Sequence, residues 1–129
     1  MEFVLRSRLG SFAPNADVFI DEEGQRIVAV VEVAGVEPET LRVAFDERYL
    51  IATGRRQESA RLRCGSFIQK EIVHGEFVKR IALPVPIEYE GAAASYEDGL
   101  LTIVAPIAAT AYMPTARTQL RIIVKRTHS

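Results

Sequence analysis

The stretch that decides the fold is Ala92-Ala93-Ala94-Ser95-Tyr96-Glu97-Asp98-Gly99-Leu100-Leu101-Thr102-Ile103-Val104-Ala105-Pro106. An Asp-Gly pair between two β-rich runs is the signature of a type I′ turn, whose two central residues both need positive φ. The stretch predicts a hairpin, residues 92–96 against 100–105. Pro106, which has no N–H to give a ladder, ends it. A second hairpin stands upstream. Leu41-Arg42-Val43-Ala44-Phe45-Asp46 alternates, with Leu41, Val43 and Phe45 inward; Asp46-Glu47-Arg48 turns; Tyr49-Leu50-Ile51-Ala52-Thr53 returns and Gly54 stops it. Residues 17–21 form a short strand. Residues 26–34 form a longer one, with Ile27, Ala29, Val31 and Val33 on one face and Val28, Val30 and Glu32 on the other, as in a strand covered on both sides. Val36 to Thr40 reads as a turn entered through Pro38. Phe77, Ile81 and Leu83 mark another strand, ended by Pro84 and Pro86. About seven short strands and no convincing long helix predict an all-β antiparallel β-sandwich.

Working outward, the chain divides into three parts: an arm over residues 1–13, a body over 14–106 and an extension over 107–129. The arm holds Phe3, Val4, Leu5, Leu9 and Phe12, which have no obvious core to join because the strands begin only near Asp17. Exposed apolar segments of this kind mark interaction sites. Residues 55–75 are polar and too long for a structureless loop in a compact domain. Ser66-Phe67-Ile68-Gln69-Lys70 inside them reads as a short strand of its own. The extension begins as a linker and ends in Leu120-Arg121-Ile122-Ile123-Val124. Leu120, Ile122 and Val124 share one face of an extended segment. They either fill pockets along another chain's sheet edge or add one more strand to their own domain, and the pattern leaves both open.

Composition narrows the function. The 129 residues are 48% apolar and 26% charged, the make-up of one globular domain that needs no metal or disulfide staple. Cys64 is the only cysteine, which rules out an intrachain disulfide and suits a reducing compartment. Basic and acidic residues number 16 and 17, a balance that argues against nucleic acid as the partner. No apolar run approaches the roughly 18 residues of a membrane span, and the first residues lack a secretory leader's apolar centre. A cytoplasmic protein with no membrane partner is expected. From Gly99 onward there is no acid, while Arg117, Arg121, Lys125 and Arg126 make the tail basic. Such a tail either touches the acidic body of a neighbour or simply stays solvated.

Chemistry finds no foothold. Cys64, His74 and His128 stand at no metal-ligand spacing; Cys64 and His74 could pair as nucleophile and base, but a loop thiol and a loop imidazole are the simpler reading. No glycine-rich loop follows a strand. Glu22/Glu23 and Glu97/Asp98 fall in turns, where acids are ordinary. No catalytic, cofactor or metal site is expected, and the protein is read as a non-enzyme acting through its surfaces.

Taken together the chain resembles the small heat-shock proteins, the α-crystallin-domain family of bacterial and plant type. Ala94 to Leu101 looks like the family's A-x-x-x-[N/D]-G-[V/L]-L signature. Gly75-Glu76-Phe77-Val78-Lys79-Arg80-Ile81-Ala82-Leu83-Pro84 is similar to G-x-F-x-R-x-Φ-x-L-P. Gly35-Val36 with Pro38-Glu39 resembles the L-P-G-Φ-x-P-E-D turn, Leu50 to Gly54 resembles L-x-I-x-G, and Ile122-Ile123-Val124 resembles the I-x-I/V tail anchor. Leu120-Arg121-Ile122 fits that anchor nearly as well. The resemblance implies an immunoglobulin-like sandwich with a short flexible arm and tail. It implies homodimers built by exchange of the loop strand, here Ser66, Phe67, Ile68, Gln69 and Lys70, and higher homo-oligomers built by the tail. The anchor, Leu120, Ile122 and Val124, would dock in a groove of a neighbouring dimer lined by Leu41, Val43, Phe45, Ala94 and Tyr96. The implied job is ATP-independent holding of non-native client proteins, partly through the arm. Lys79 stands where the motif has Arg; lysine lacks the planar fork of a bidentate pair, so any charge network there is weaker or rearranged. The alternative is a co-chaperone or adaptor of the related sandwich type with one specific partner.

Overall fold

The computed structural model describes residues 12–58, 64–109 and 118–125. Nine strands run in chain order: β1 (Ala16–Asp21), β2 (Arg26–Glu32), β3 (Arg42–Asp46), β4 (Tyr49–Arg56), β5 (Gly75–Ala82), β6 (Ala93–Glu97), β7 (Leu100–Pro106), β8 (Thr118–Leu120) and β9 (Ile122–Val124). They form two facing sheets, β1-β2-β7-β6-β9 and β5-β4-β3-β8. The expected sandwich is there. All pairings are antiparallel except β6 with β9.

The local chemistry explains the hairpins. Asp98 and Gly99 take φ of 54° and 80°, as the type I′ turn requires, and Glu97 pairs with Leu100. Glu47, at φ 55°, closes β3 onto β4, with Asp46 opposite Tyr49. Thr40 ties the turn over Pro38–Thr40 to β4: its hydroxyl donates to the Glu37 carbonyl at 2.7 Å and accepts the Arg55 N–H at 2.9 Å.

Alternation then fills the core. Ile27, Ala29 and Val31 of β2, with Leu101, Ile103 and Ala105 of β7, meet Val43 and Phe45 of β3, Leu50 and Ala52 of β4, and Phe77 and Ile81 of β5. No polar side chain is buried among the described residues.

Three expectations give way. Gly54 does not stop β4, which runs on to Arg56. A Cβ at Gly54 would lie 2.7 Å from the Phe77 ring and 3.0 Å from Leu41, so the glycine admits a ring rather than ending a strand. Residues 66–70 make no strand of their own; they pair with no described strand of this chain, and Ile68 is fully exposed. The second face of β2 is covered only in part: Val28 is buried, Val30 is half-buried and Glu32 is exposed.

Candidate functional site

The tail crosses the seam between the two sheets. Leu120 in β8 lies opposite Val43, extending the four-stranded sheet. Arg121 makes the step, and β9 then runs parallel to β6, with Ile122 opposite Ala94 and Val124 opposite Tyr96. The Lys125 N–H donates to the Tyr96 carbonyl at 2.7 Å and closes the ladder. Leu120 and Ile122 pack against the core, Val124 is half-buried and Ile123 is 58% exposed. The alternation 120, 122, 124 therefore faces inward as one face of an extended segment should.

Beneath the tail lie the groove residues. Leu41, Val43, Phe45 and Ala94 are all buried, and Tyr96 is half-buried. The structure thus brings the three tail residues onto the five groove residues, within a single chain. Of the two readings of the tail, its own domain takes it here, as two short strands split between the sheets. A cleft of about 380 Å³ remains beside it, against Pro38, Leu41 and Arg42. Desolvation in this groove raises the Tyr96 phenol above its ordinary range.

The loop between β4 and β5 lies apart from the groove. Phe67 and Ile68 are exposed, as are Ile72 and Val73, and Lys70 reaches Glu58 at 3.4 Å and the Phe67 ring at 5.0 Å. Ser66 and Gln69 are exposed too. Cys64 at its start is an exposed free thiol.

Phe12 departs from the expected exposed arm. It is only 7% exposed, its ring 5.1 Å from that of Phe77. Strand order hid this, because Phe12 reaches the core before β1 begins. Phe3, Val4, Leu5 and Leu9 lie outside the described residues. Arg56, which the sequence did not single out, holds Phe12 in place. Its guanidinium sits 3.9 Å from the Phe12 ring and donates to the Val73 and Ala34 carbonyls. It stood as one arginine among four in a polar stretch, with nothing to mark it. Tyr89 was missed likewise; its ring meets Phe45 edge-on at 5.3 Å, and its hydroxyl donates to the Glu47 carbonyl. Lys79 shares the inward register of Phe77 and Ile81 on β5, half-buried, with no ion pair among the described residues.

A family model described as Hsp20/alpha crystallin family matches residues 19–122. Heat shock protein 16 of Schizosaccharomyces pombe is 32% identical over 103 residues, covering 75% of this chain and 68% of that protein. Small heat shock protein C4 of Rickettsia felis is 27% identical over 94 residues, covering 73% of this chain and 56% of that one. Among solved structures, heat shock protein 16.0 from S. pombe superposes with a TM-score of 0.68 at 25% identity, over 76% of this chain and 89% of that one. A small heat-shock protein from Xylella fastidiosa, whose structure is described as revealing a distinct high order structure, does so at 0.64 and 28%, over 77% and 89%. With the hairpin signature, the sandwich and these matches in agreement, the chain belongs to the Hsp20/alpha crystallin family.

Proposed function

We propose that this protein is an ATP-independent holdase, a cytoplasmic non-enzymatic chaperone that binds unfolding proteins and limits their aggregation. The observation that carries the reading is the fit of an amphipathic tail to an apolar seam. Leu120, Ile122 and Val124 cover Val43, Phe45 and Ala94 through short, separable strands. Three-residue strands are marginal alone, so the tail can leave and the groove can take another chain's tail instead. That makes residues 107–129 the link between subunits and residues 14–106 the common body.

The dimer is proposed to form through Ser66–Lys70. β1 is the long edge left open in its sheet, with Val18, Phe19 and Ile20 all exposed. An apolar segment in no ladder and an apolar edge strand with no neighbour, among the described residues, are matched by strand addition between two copies. Clients are proposed to meet the arm at Phe3, Val4, Leu5 and Leu9, with Phe12 serving as its root in the core.

The test is light scattering of an aggregation-prone enzyme held at its unfolding temperature, with increasing amounts of this protein and no nucleotide. Suppression at near-equal subunit ratios is expected. An unchanged scattering curve at tenfold excess would leave the adaptor reading in possession.

A further inference from the structure

The outer face of the five-stranded sheet is a second uncovered surface, independent of the chaperone reading. The registers stack its outward residues in rows. Phe19, Val28 and Val104 form one row; Val30 and Thr102 lie in the next; Leu100 lies in the row after that. Phe19 is 53% and Leu100 43% exposed. This apolar floor has an acidic end. Glu32 and Glu97 flank Leu100 from either side, and Asp17 lies opposite Val30. None of these three carboxylates pairs with a cation among the described residues, whereas Asp21 at the far end is held by Arg26 at 2.6 Å.

The chain carries the complement of this face in residues 3–9, which join apolar Phe3, Val4, Leu5 and Leu9 to cationic Arg6 and Arg8. The chain also enters the sandwich at the acidic end. The Asn15 carbonyl accepts the Glu32 N–H at 2.9 Å, and Phe12 is fixed three residues before it. Leading back from Phe12, Leu9 comes first, then Arg8 and Arg6, which can meet the acidic end, and Leu5 to Phe3 come last, toward the apolar row. Reach does not limit this. The nine-residue step from Phe3 to Phe12 spans up to about 30 Å, while the four-residue step along β2 from Glu32 to Val28 is roughly 13 Å.

We propose that residues 3–9 dock on the outer face of their own five-stranded sheet, with Phe3, Val4 and Leu5 over Phe19, Val28 and Val104, and Arg6 and Arg8 against Asp17, Glu32 and Glu97.

The test is Phe3→p-benzoylphenylalanine in the full chain, irradiated in an equal mixture of isotope-labelled and unlabelled protein, with cross-links mapped by mass spectrometry. Cross-links to peptides holding Phe19, Val28 or Val104, within one chain, are expected. Their yield should fall several-fold with Glu32→Lys and Glu97→Lys together, and recover when Arg6→Glu and Arg8→Glu are added. Both acids are exposed, so the reversal leaves the core intact. Cross-links to the groove under the tail, label-mixed pairs from a second copy, or a yield indifferent to charge reversal would each overturn the proposal.

Discussion

Replacing Leu120 and Ile122 together by Ala should free the tail without unfolding the sandwich. Fully burying a Leu or Ile side chain contributes about 1.5–3 kcal/mol. Both are half-buried, so about half of that is at stake at each, and the pair should lose about 1.5–3 kcal/mol of docking free energy. At 1.4 kcal/mol per tenfold, docking should weaken by roughly 10- to 100-fold. The readout is amide hydrogen exchange over residues 118–125, where the Lys125 N–H is held by the Tyr96 carbonyl. Exchange there should accelerate by the same factor, while the amides of β2 and β7 keep their protection. The measurement reads docking whether the groove belongs to the same chain or to another. Ile123→Ala is the control, since that side chain points to solvent. Equal acceleration in the Ile123 variant, or none in the double variant, would refute the argument that the inward alternation holds the tail.

Phe12→Ala should cost toward the low end of the 3–5 kcal/mol of buried Phe truncations, read by urea unfolding, whereas removing residues 1–11 should cost under about 1 kcal/mol. Raising the pH should release the tail. Desolvation lifts the folded-state pKa of Tyr96 above its unfolded value near 10, so the neutral phenol's contribution is present below pH 10 and lost as pH climbs through the raised value. Tail exchange, corrected for its intrinsic base-catalysed rate, should rise over that range, and Tyr96→Phe should remove the excess. Val18→Lys on the open edge, and separately removal of residues 64–70, should each shift the particle toward monomer in size measurements at micromolar concentration. Combined, the two should do little more than either alone, since they act on one interface.

The hairpins were legible because turn chemistry is local. Asp98-Gly99 announces positive φ at two adjacent positions, and the inward set Leu41, Val43 and Phe45 follows from alternation alone. That a tail would lie along these strands came from the family resemblance; alternation marked only the inward face of β3. What escaped was set by tertiary contact. Gly54 reads as a breaker until the Phe77 ring is placed against it. Phe12 reads as an exposed arm residue until the pocket between Phe77 and Arg56 exists. The split of the tail into β8 and β9 depends on two sheets being close enough for one residue, Arg121, to step between them. Residues 66–70 read as a strand on composition, but a strand needs a ladder as well as a pattern, and no described strand of this chain pairs with them.

Edges carry the functional logic. A two-sheet sandwich has four, and each unpaired edge is a template for association. The tail takes two of them, since β8 covers β3 and β9 covers β6. On β5 the inward Lys79 sets a charge where an added strand would bury it, and inward charge is a known way to blunt an edge. Only β1 then presents a long apolar edge, with Val18, Phe19 and Ile20 exposed. Phe67 and Ile68 are apolar, exposed and without a ladder of their own. The tail edges open and close with three-residue strands, whereas β1 offers six residues to a partner. On the proposed function, the unequal lengths predict two strengths: a dimer through β1 that outlasts a tail contact between subunits, the tail contact being lost first on heating.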